Sequence, residues 1–142
     1  MKRIGIVGAG AIARTHADRI KKMPGIELAG YYDIFPEAAQ RAVEQYGGKV
    51  YPSLNALLGD VDYVDICTTA NAHKEPVLAA LEAGVPACVE KPLARHLADC
   101  YEIVEAQART GTPLFVAQVV RFFPQFAAAK ASLERGDIGA PG

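Results

Sequence analysis

Residues 4–13 read IGIVGAGAIA, an apolar run that passes into closely spaced small residues. We predict a buried strand over residues 4–7, then a tight turn that leads into a helix, formed by Gly8, Ala9, Gly10, Ala11, Ile12 and Ala13. The first glycine permits the turn, the second lets phosphates approach the backbone, and the small Ala13 permits close packing of helix and strand. Free N–H groups at a helix N-terminus favour anions. The stretch therefore predicts a unit that binds the pyrophosphate of a dinucleotide.

The rest of the chain alternates short apolar runs with segments of helical periodicity. The apolar runs predict strands at residues 3–7, 27–32, 49–51, 63–67, 87–90 and 114–117. Helical spacing predicts apolar helix faces that comprise, in chain order, Ile12, Ala13, His16, Ala17 and Ile20; Ala39, Ala42, Val43 and Tyr46; Val77, Leu78 and Leu81, ending at Gly84; and Leu97, Cys100, Val104 and Ala108, ending at Gly111. This pattern is typical of an α/β fold with a doubly wound, mostly parallel sheet and helices on both faces, the Rossmann fold.

The composition indicates a soluble globular protein. The chain has 142 residues, of which 51% are hydrophobic and 22% charged, and its formal net charge is -1. This balance offers no broad basic surface, so we expect no nucleic-acid partner. The apolar runs fall short of the roughly 20 residues of a membrane span. Three cysteines without the paired spacing of metal or redox motifs predict free thiols, no metal site and a cytoplasmic location.

The C-terminal tail departs from the alternating pattern. Phe122, Phe123 and Phe126 precede an Ala-rich helical segment that ends near Gly136. We therefore predict a dinucleotide-binding domain over residues 1–121, and over residues 122–142 the start of a connection to another domain. Exposed apolar side chains of this kind favour association, so we expect a homo-oligomer, such as a homodimer, formed through residues 122–133.

Asp33 follows the second predicted strand, at close to the spacing of about 20 residues that is typical of an acidic partner to the glycine-rich turn. Its carboxylate could accept hydrogen bonds from the ribose hydroxyls of adenosine, and its charge would repel a 2′-phosphate. Asp33 therefore favours NAD over NADP. The alternative interpretation is a turn cap ahead of Pro36.

Glu90, Lys91 and Pro92 stand at the end of the fifth predicted strand, at the edge where open parallel sheets bind ligands. Lys91 could exchange a proton with the hydroxyl or carbonyl group at which hydride leaves or arrives. Glu90 could bond a ribose hydroxyl or hold the ammonium group. The alternative is a solvated ion pair at a strand end. Pro92 is also a candidate for a cis peptide bond.

Taken together, these motifs give the chain a family resemblance. The resemblance rests on residues 8–13, Asp33, residues 67–73 (CTTANAH), residues 90–94 (EKPLA), and Arg121-Phe122 with Pro124. The sequence resembles the Gfo/Idh/MocA oxidoreductases over essentially its whole length. The resemblance implies an NAD(P)-dependent dehydrogenase that transfers hydride between the nicotinamide and a sugar or polyol.

The resemblance also implies roles for individual residues. It makes Lys91 catalytic and places its neighbour Glu90 at the cofactor, with the other cofactor contacts at Thr68, Thr69, Asn71, His73, Gln118 and Arg121. Thr69 stands where the family often has proline. For His73, a helix-start residue is the alternative. His16 is expected to be a core or edge residue, and His96 a helix-start residue.

In this family a second α/β domain supplies substrate contacts and a catalytic histidine, and the chain ends where that domain would begin. We therefore expect cofactor binding with little turnover. Two other functions stay open, namely a non-catalytic module that senses NAD and a methyltransferase domain, which also has a glycine-rich turn followed by an acid. The Glu90-Lys91-Pro92 triplet does not fit the methyltransferase.

Overall fold

The computed structural model describes residues 1–139, so the last three residues of the predicted 122–142 segment lie outside it. The strands are β1 Lys2–Val7, β2 Ile26–Tyr32, β3 Lys49–Val50, β4 Tyr63–Ile66, β5 Ala87–Glu90 and β6 Leu114–Ala117. The helices are α1 Ala11–Ile20, α2 Pro36–Tyr46, α3 Leu54–Leu58, α4 Lys74–Glu82, α5 Leu97–Thr110 and α6 Pro124–Glu134.

The strands form one sheet in the order β3-β2-β1-β4-β5-β6. Every adjacent pair is parallel. Because the order reverses its direction between β1 and β4, the two halves of the chain place their helices on opposite faces. One core cluster packs α1 and α2 against the sheet, and the other packs α3, α4 and α5. The predicted doubly wound fold is confirmed, with a sheet that is parallel throughout.

The central parts of the strands are mostly apolar because helices cover much of the sheet. Ile6 belongs to one core cluster, Val64 and Val89 belong to the other, and all three are buried. Helix α5 ends at Gly111 in the left-handed conformation, as the sequence predicts. Helix α3 was not predicted; the Ser53 hydroxyl caps it by accepting a hydrogen bond from the Ala56 N–H.

The predicted apolar face of α5 is wrong for three of its four residues, since only Cys100 packs against the core. Leu97 and Val104 are 68% and 55% exposed, and Ala108 is exposed as well. The helix instead buries Ile103 and Ala106. Both sets of residues have helical spacing, so periodicity alone could not choose between them. Packing of α5 against α4 and within the core cluster that they share made the choice.

One position of α1 also departs from the prediction. Ala13, Ala17 and Ile20 are buried, whereas Ile12 is 40% exposed. Ile12 lies in the first turn of the helix, beside the glycine-rich loop and on a different face from buried Ala13, Ala17 and Ile20.

The α1 side of the sheet is open over its β4-β5-β6 half. A cleft of about 520 Å³ lies there, lined by apolar side chains that include Ile20, Met23, Tyr63 and Phe115. Helix α6 buries none of its residues, and Phe122, Phe123 and Phe126 just before and within it are exposed. The predicted exposed aromatic cluster is therefore confirmed.

No helix within residues 1–139 combines the length and apolar character needed to cross a membrane.

Candidate functional site

The sheet register brings the predicted site residues to one edge. Val7 pairs with Tyr32 on one side and with Ile66 on the other, and further along Glu90 pairs with Ala117. The residues that directly follow these strand ends therefore stand along the same carboxyl edge, and they are Gly8, Asp33, Cys67, Lys91 and Gln118.

The glycine-rich loop has the geometry of an anion site. Gly8 has φ +87°, and a Cβ added to it would lie 2.9 Å from the Thr68 backbone nitrogen. The loop therefore packs tightly against the segment that follows β4. A Cβ on Gly10 would meet no protein atom within 4 Å. Gly10 is also the N-cap of α1, and no side chain within the described residues caps that first turn. The first N–H groups of α1 thus remain available to phosphate oxygens, and the loop fits a pyrophosphate.

Asp33 ties the loop to the end of β2. Its Oδ2 accepts a hydrogen bond of 2.7 Å from the Ala9 N–H, and its Oδ1 accepts one of 2.8 Å from the Phe35 N–H. The second bond closes a turn ahead of Pro36, so the turn-cap interpretation is confirmed. Each carboxylate oxygen has a further acceptor position, which leaves Asp33 able to receive a ligand hydroxyl as well.

A cleft of about 320 Å³ lies beside this loop. Of the predicted residues, it is lined by Gly8, Gly10, Asp33, Thr68 and Thr69. Sequence reasoning missed other lining residues, which include Ile34, Phe35, Leu54 and Glu75. Ile34 and Phe35 are 76% and 59% exposed, and such apolar surface beside the acid suits a flat base. Two apolar residues directly after Asp33 were the available signal.

The segment 67–73 divides between the cleft and the core. Asn71 is exposed, and its Oδ1 accepts a hydrogen bond from Arg95. His73 is 1% exposed, with Nδ1 2.8 Å from the Pro92 carbonyl oxygen and Nε2 3.1 Å from that of Thr68. His73 is also the N-cap of α4. It therefore joins the Thr68 loop to the Pro92 turn rather than lining the cleft.

The Glu90-Lys91-Pro92 turn separates its two charges. Lys91 is exposed, whereas Glu90 is buried, with one carboxylate oxygen 3.1 Å from the Lys91 backbone N–H and the other 3.3 Å from His16 Nε2. The ion pair of Glu90 is thus with His16, not with the Lys91 ammonium, and the interpretation as a solvated ion pair is wrong. The Lys91–Pro92 peptide bond is cis, as predicted.

His16 belongs to a polar cluster beneath this turn. Its Nδ1 lies 2.7 Å from Asp65 Oδ2 and 3.4 Å from Cys67 Sγ. The hydrogen bond to Asp65 raises the pKa of His16 above its ordinary value, against the opposing effect of burial. Burial raises the pKa of the Cys67 thiol, and the charges of Asp65 and Glu90 raise it further. We interpret the cluster as an ion-pair network in which the thiol is neutral.

Sequence reasoning missed this cluster and placed His16 only as a core or edge residue. The available signal was a single acid, Asp65, inside an otherwise apolar strand. His96, by contrast, is the N-cap of α5 and therefore the predicted helix-start residue.

Gln118 and Arg121 continue the same edge beyond β6. Both side chains are exposed, and the Arg121 N–H bonds the Gln118 carbonyl within the short 3-10 turn at Val119–Phe122. The pairing of Glu90 with Ala117 sets Gln118 beside the Lys91 turn.

Comparisons with known proteins agree with this geometry. A family model described as an oxidoreductase family with an NAD-binding Rossmann fold matches residues 2–118. The chain is 38% identical to inositol 2-dehydrogenase of Acidothermus cellulolyticus, over 98% of the chain and 42% of that enzyme. It is 34% identical to D-apiose dehydrogenase of Paraburkholderia graminis, over 96% of the chain and 37% of that enzyme.

A solved structure is similar as well. It is the myo-inositol dehydrogenase of Lactobacillus casei in complex with NAD(H) and myo-inositol, with 34% identity and a TM-score of 0.93. The match covers 99% of this chain and 43% of that one. The chain thus spans about two-fifths of the length of these relatives.

Proposed function

The chain belongs to the Gfo/Idh/MocA oxidoreductases, a family with an NAD-binding Rossmann fold, and we propose that it is the cofactor-binding part of a dehydrogenase acting on a sugar or polyol. The observation that carries the proposal is the bond from the Ala9 N–H to Asp33, which fixes the acid against the glycine-rich loop at the carboxyl edge. Relatives named as dehydrogenases of inositol and of a sugar support the substrate class.

The chain's own residues hold the cofactor in two parts. The N–H groups of Gly10, Ala11, Ile12 and Ala13, at the start of α1, receive the pyrophosphate. Those of Gly8 and Ala9 are bonded to the Tyr32 carbonyl and to Asp33, and so shape the loop. Asp33 receives the adenosine ribose, while Ile34 and Phe35 flank the adenine. Thr68 and Thr69 line the same cleft.

The nicotinamide end lies toward β5 and β6 in this proposal. Bound NAD supplies the hydride acceptor, and Lys91 Nζ holds or moves the proton of the substrate hydroxyl. Lys91 is exposed at the edge while Glu90 is turned inward, which supports Lys91 as the group that meets the substrate. Asn71, Gln118 and Arg121 complete the rim, and His73 acts by holding the two loops together.

We infer the domain organisation from the same observations. Residues 1–121 form the cofactor domain, and residues 122–142 begin a connection, which the absence of buried residues in α6 supports. The relatives extend beyond the matched part, and we infer that their additional length supplies the substrate contacts. The 142 residues alone would therefore bind cofactor and turn over sugars or polyols near background.

The partners follow from the surface. The exposed aromatic side chains of residues 122–133 support a homo-oligomer, such as a homodimer. The net charge of -1 supports the absence of nucleic-acid partners. The free cysteines Cys67, Cys88 and Cys100 support a cytoplasmic location.

The proposal is tested by titrating the chain with NADH and NADPH and following nicotinamide fluorescence. We expect NADH to bind more tightly than NADPH. Asp33→Ser should weaken the binding of NADH by about tenfold or more, the size expected for the loss of a charged hydrogen bond. It should also reduce the preference for NADH over NADPH. Asp18→Ser, at an exposed acid paired with Lys22 on the outside of α1, is the control.

Two results would reject the proposal. One is the absence of NADH binding, and the other is an equal effect of Asp18→Ser and Asp33→Ser on the affinity. Binding of S-adenosylmethionine in competition with NADH would favour the methyltransferase alternative. In a full-length relative, retention of activity by the equivalent of Lys91→Ala would favour a sensing module.

A further inference from the structure

We propose that protonated His16 is a positioning residue, which holds Glu90 inward and thereby fixes the Lys91 turn at the cofactor edge. The role assigned to Lys91 rests on the proposed function above. The contact between His16 and Glu90 does not.

The geometry places one imidazole between two carboxylates. His16 reaches from α1, with Nδ1 2.7 Å from Asp65 on β4 and Nε2 3.3 Å from Glu90 at the end of β5. The side chains of Asp65 and Glu90 are only 11% and 10% exposed. A neutral imidazole has a single N–H and could serve one of the two carboxylates, whereas an imidazolium serves both.

The other groups that face His16 do not replace its charge. Cys67 on β4 and Cys88 on β5 stay neutral, because burial raises the pKa of each thiol, that of Cys88 to about 12. Tyr31 on β2, in the same core cluster as Cys67, also stays neutral, because burial raises its pKa to about 12. Arg19, on α1 itself, lines the open cleft with His16. Within residues 1–139, Asp65 and Glu90 form ion pairs only with His16.

Glu90 passes the effect of His16 to Lys91. Its second carboxylate oxygen accepts the Lys91 backbone N–H at 3.1 Å, so one carboxylate joins the imidazole to the main chain of the turn. From the other side, His73 contacts the Pro92 carbonyl. If His16 loses its proton, two poorly solvated carboxylates face each other across a neutral ring, and Glu90 gains by rotating toward water. The turn would then lose its support on the α1 side.

The first experiment is an NMR pH titration of the chain without cofactor. We expect the His16 imidazole to titrate above the ordinary histidine pKa of 6.5, and the Lys91 backbone amide to shift with the midpoint of His16. In His16→Gln the Lys91 shift should vanish, and in the control His96→Gln it should persist. A His16 midpoint at or below 6.5, or a Lys91 amide that does not follow it, would overturn the proposal.

The second experiment measures NADH affinity against pH. The unmodified chain should lose about tenfold in affinity as His16 deprotonates, and His16→Gln should bind weakly at every pH. Adding Asp65→Asn to His16→Gln should restore part of the affinity, since it removes one of the two facing charges. Thermal melts run alongside, because a purely structural loss would follow the melting temperature and would not be rescued.

The two experiments distinguish a failure of this inference from a failure of the proposed function. An NADH affinity that is independent of pH, or a double variant no better than His16→Gln, would refute the positioning role. Absence of NADH binding at every pH would reject the proposed function instead, and the coupling of His16 to the Lys91 amide would then decide the inference alone.

Discussion

At the residue scale, Gly8 and Gly10 belong to one loop but meet different surroundings. Gly8 has a positive φ, and a Cβ added to it would lie only 2.9–3.0 Å from backbone atoms of Cys67 and Thr68. Gly10 faces open space on the side where phosphates are expected. The glycine-rich motif predicts a glycine at both positions. Only the packing of the loop against the segment after β4 distinguishes their roles.

This difference predicts opposite phenotypes for two alanine variants. Gly8→Ala should lower the free energy of unfolding by about 1–3 kcal/mol, because it combines an unfavourable φ with a backbone clash. Gly10→Ala should unfold like the parent chain yet bind NADH about tenfold or more weakly, because its methyl group occupies the approach to the phosphates. Urea unfolding and NADH titration of both variants measure this. Normal NADH binding by Gly10→Ala would show that the loop does not receive the pyrophosphate.

At the element scale, α5 shows how little periodicity says about which face is buried. Its sequence has two apolar stripes, one through Leu97 and Val104 and the other through Ile103 and Ala106. The stripe through Ile103 and Ala106 packs in the core cluster that also contains residues of α4. The stripe through Leu97 and Val104 is exposed. The existence, bounds and C-terminal glycine of the helix were predictable, because they depend on local spacing and capping.

Two adjacent residues of α5 test this assignment. Ile103→Ala should cost about 2–4 kcal/mol of unfolding free energy, because it leaves a cavity in a closely packed cluster. Val104→Ala should change it by less than about 0.5 kcal/mol, as expected at an exposed position. Chemical denaturation of the two variants compares them directly, and similar losses would mean that the buried face is assigned incorrectly.

At the scale of the whole molecule, an ion-pair cluster joins β1, the β3 strand end and the loop before β4. Asp60 contacts Arg3, lies 2.9 Å from Lys49 Nζ and accepts a hydrogen bond of 2.7 Å from the Tyr51 hydroxyl. The hydrogen bonds from Arg3, Lys49 and Tyr51 hold the pKa of Asp60 well below its usual range. The cluster connects segments that are distant in sequence, so no local pattern could predict it.

The depressed pKa of Asp60 predicts acid sensitivity. A carboxyl group of this kind contributes stability above its unfolded-state pKa of about 3.8, and that contribution is lost as the pH falls toward its folded-state pKa. We expect the unfolding free energy of the chain to fall steeply below this pH. Asp60→Asn should be less stable at neutral pH and show a shallower acid decline, whereas Asp18→Asn should resemble the parent. Parallel pH profiles for all three chains would contradict the role of Asp60.

Helix α6 predicts the behaviour of the chain in solution. It buries none of its own residues, and Phe122 and Phe126 expose 68% and 52% of their surface. We expect the molar mass from light scattering to rise with concentration, and Phe122→Ser with Phe126→Ser to hold the chain monomeric. Leu97→Ser, at an equally exposed apolar residue of α5, should leave association intact. A monomer at all concentrations would show that the chain does not associate. Dissociation caused by Leu97→Ser would place the contact between chains at α5 instead of at Phe122 and Phe126.

The sequence by itself determined what depends on neighbours along the chain. Continuous apolar runs specify buried parallel strands, helical spacing specifies the longer helices, and the run from Gly8 to Ala13 with Asp33 specifies the cofactor edge. Helix α3 escaped prediction because its five residues are too few to establish a period. Tertiary structure alone decided the buried face of α5 and the inward turn of Glu90 onto His16. Side chains far apart in sequence meet only when the sheet order is set, and the cost of burying charge then selects which of them pair.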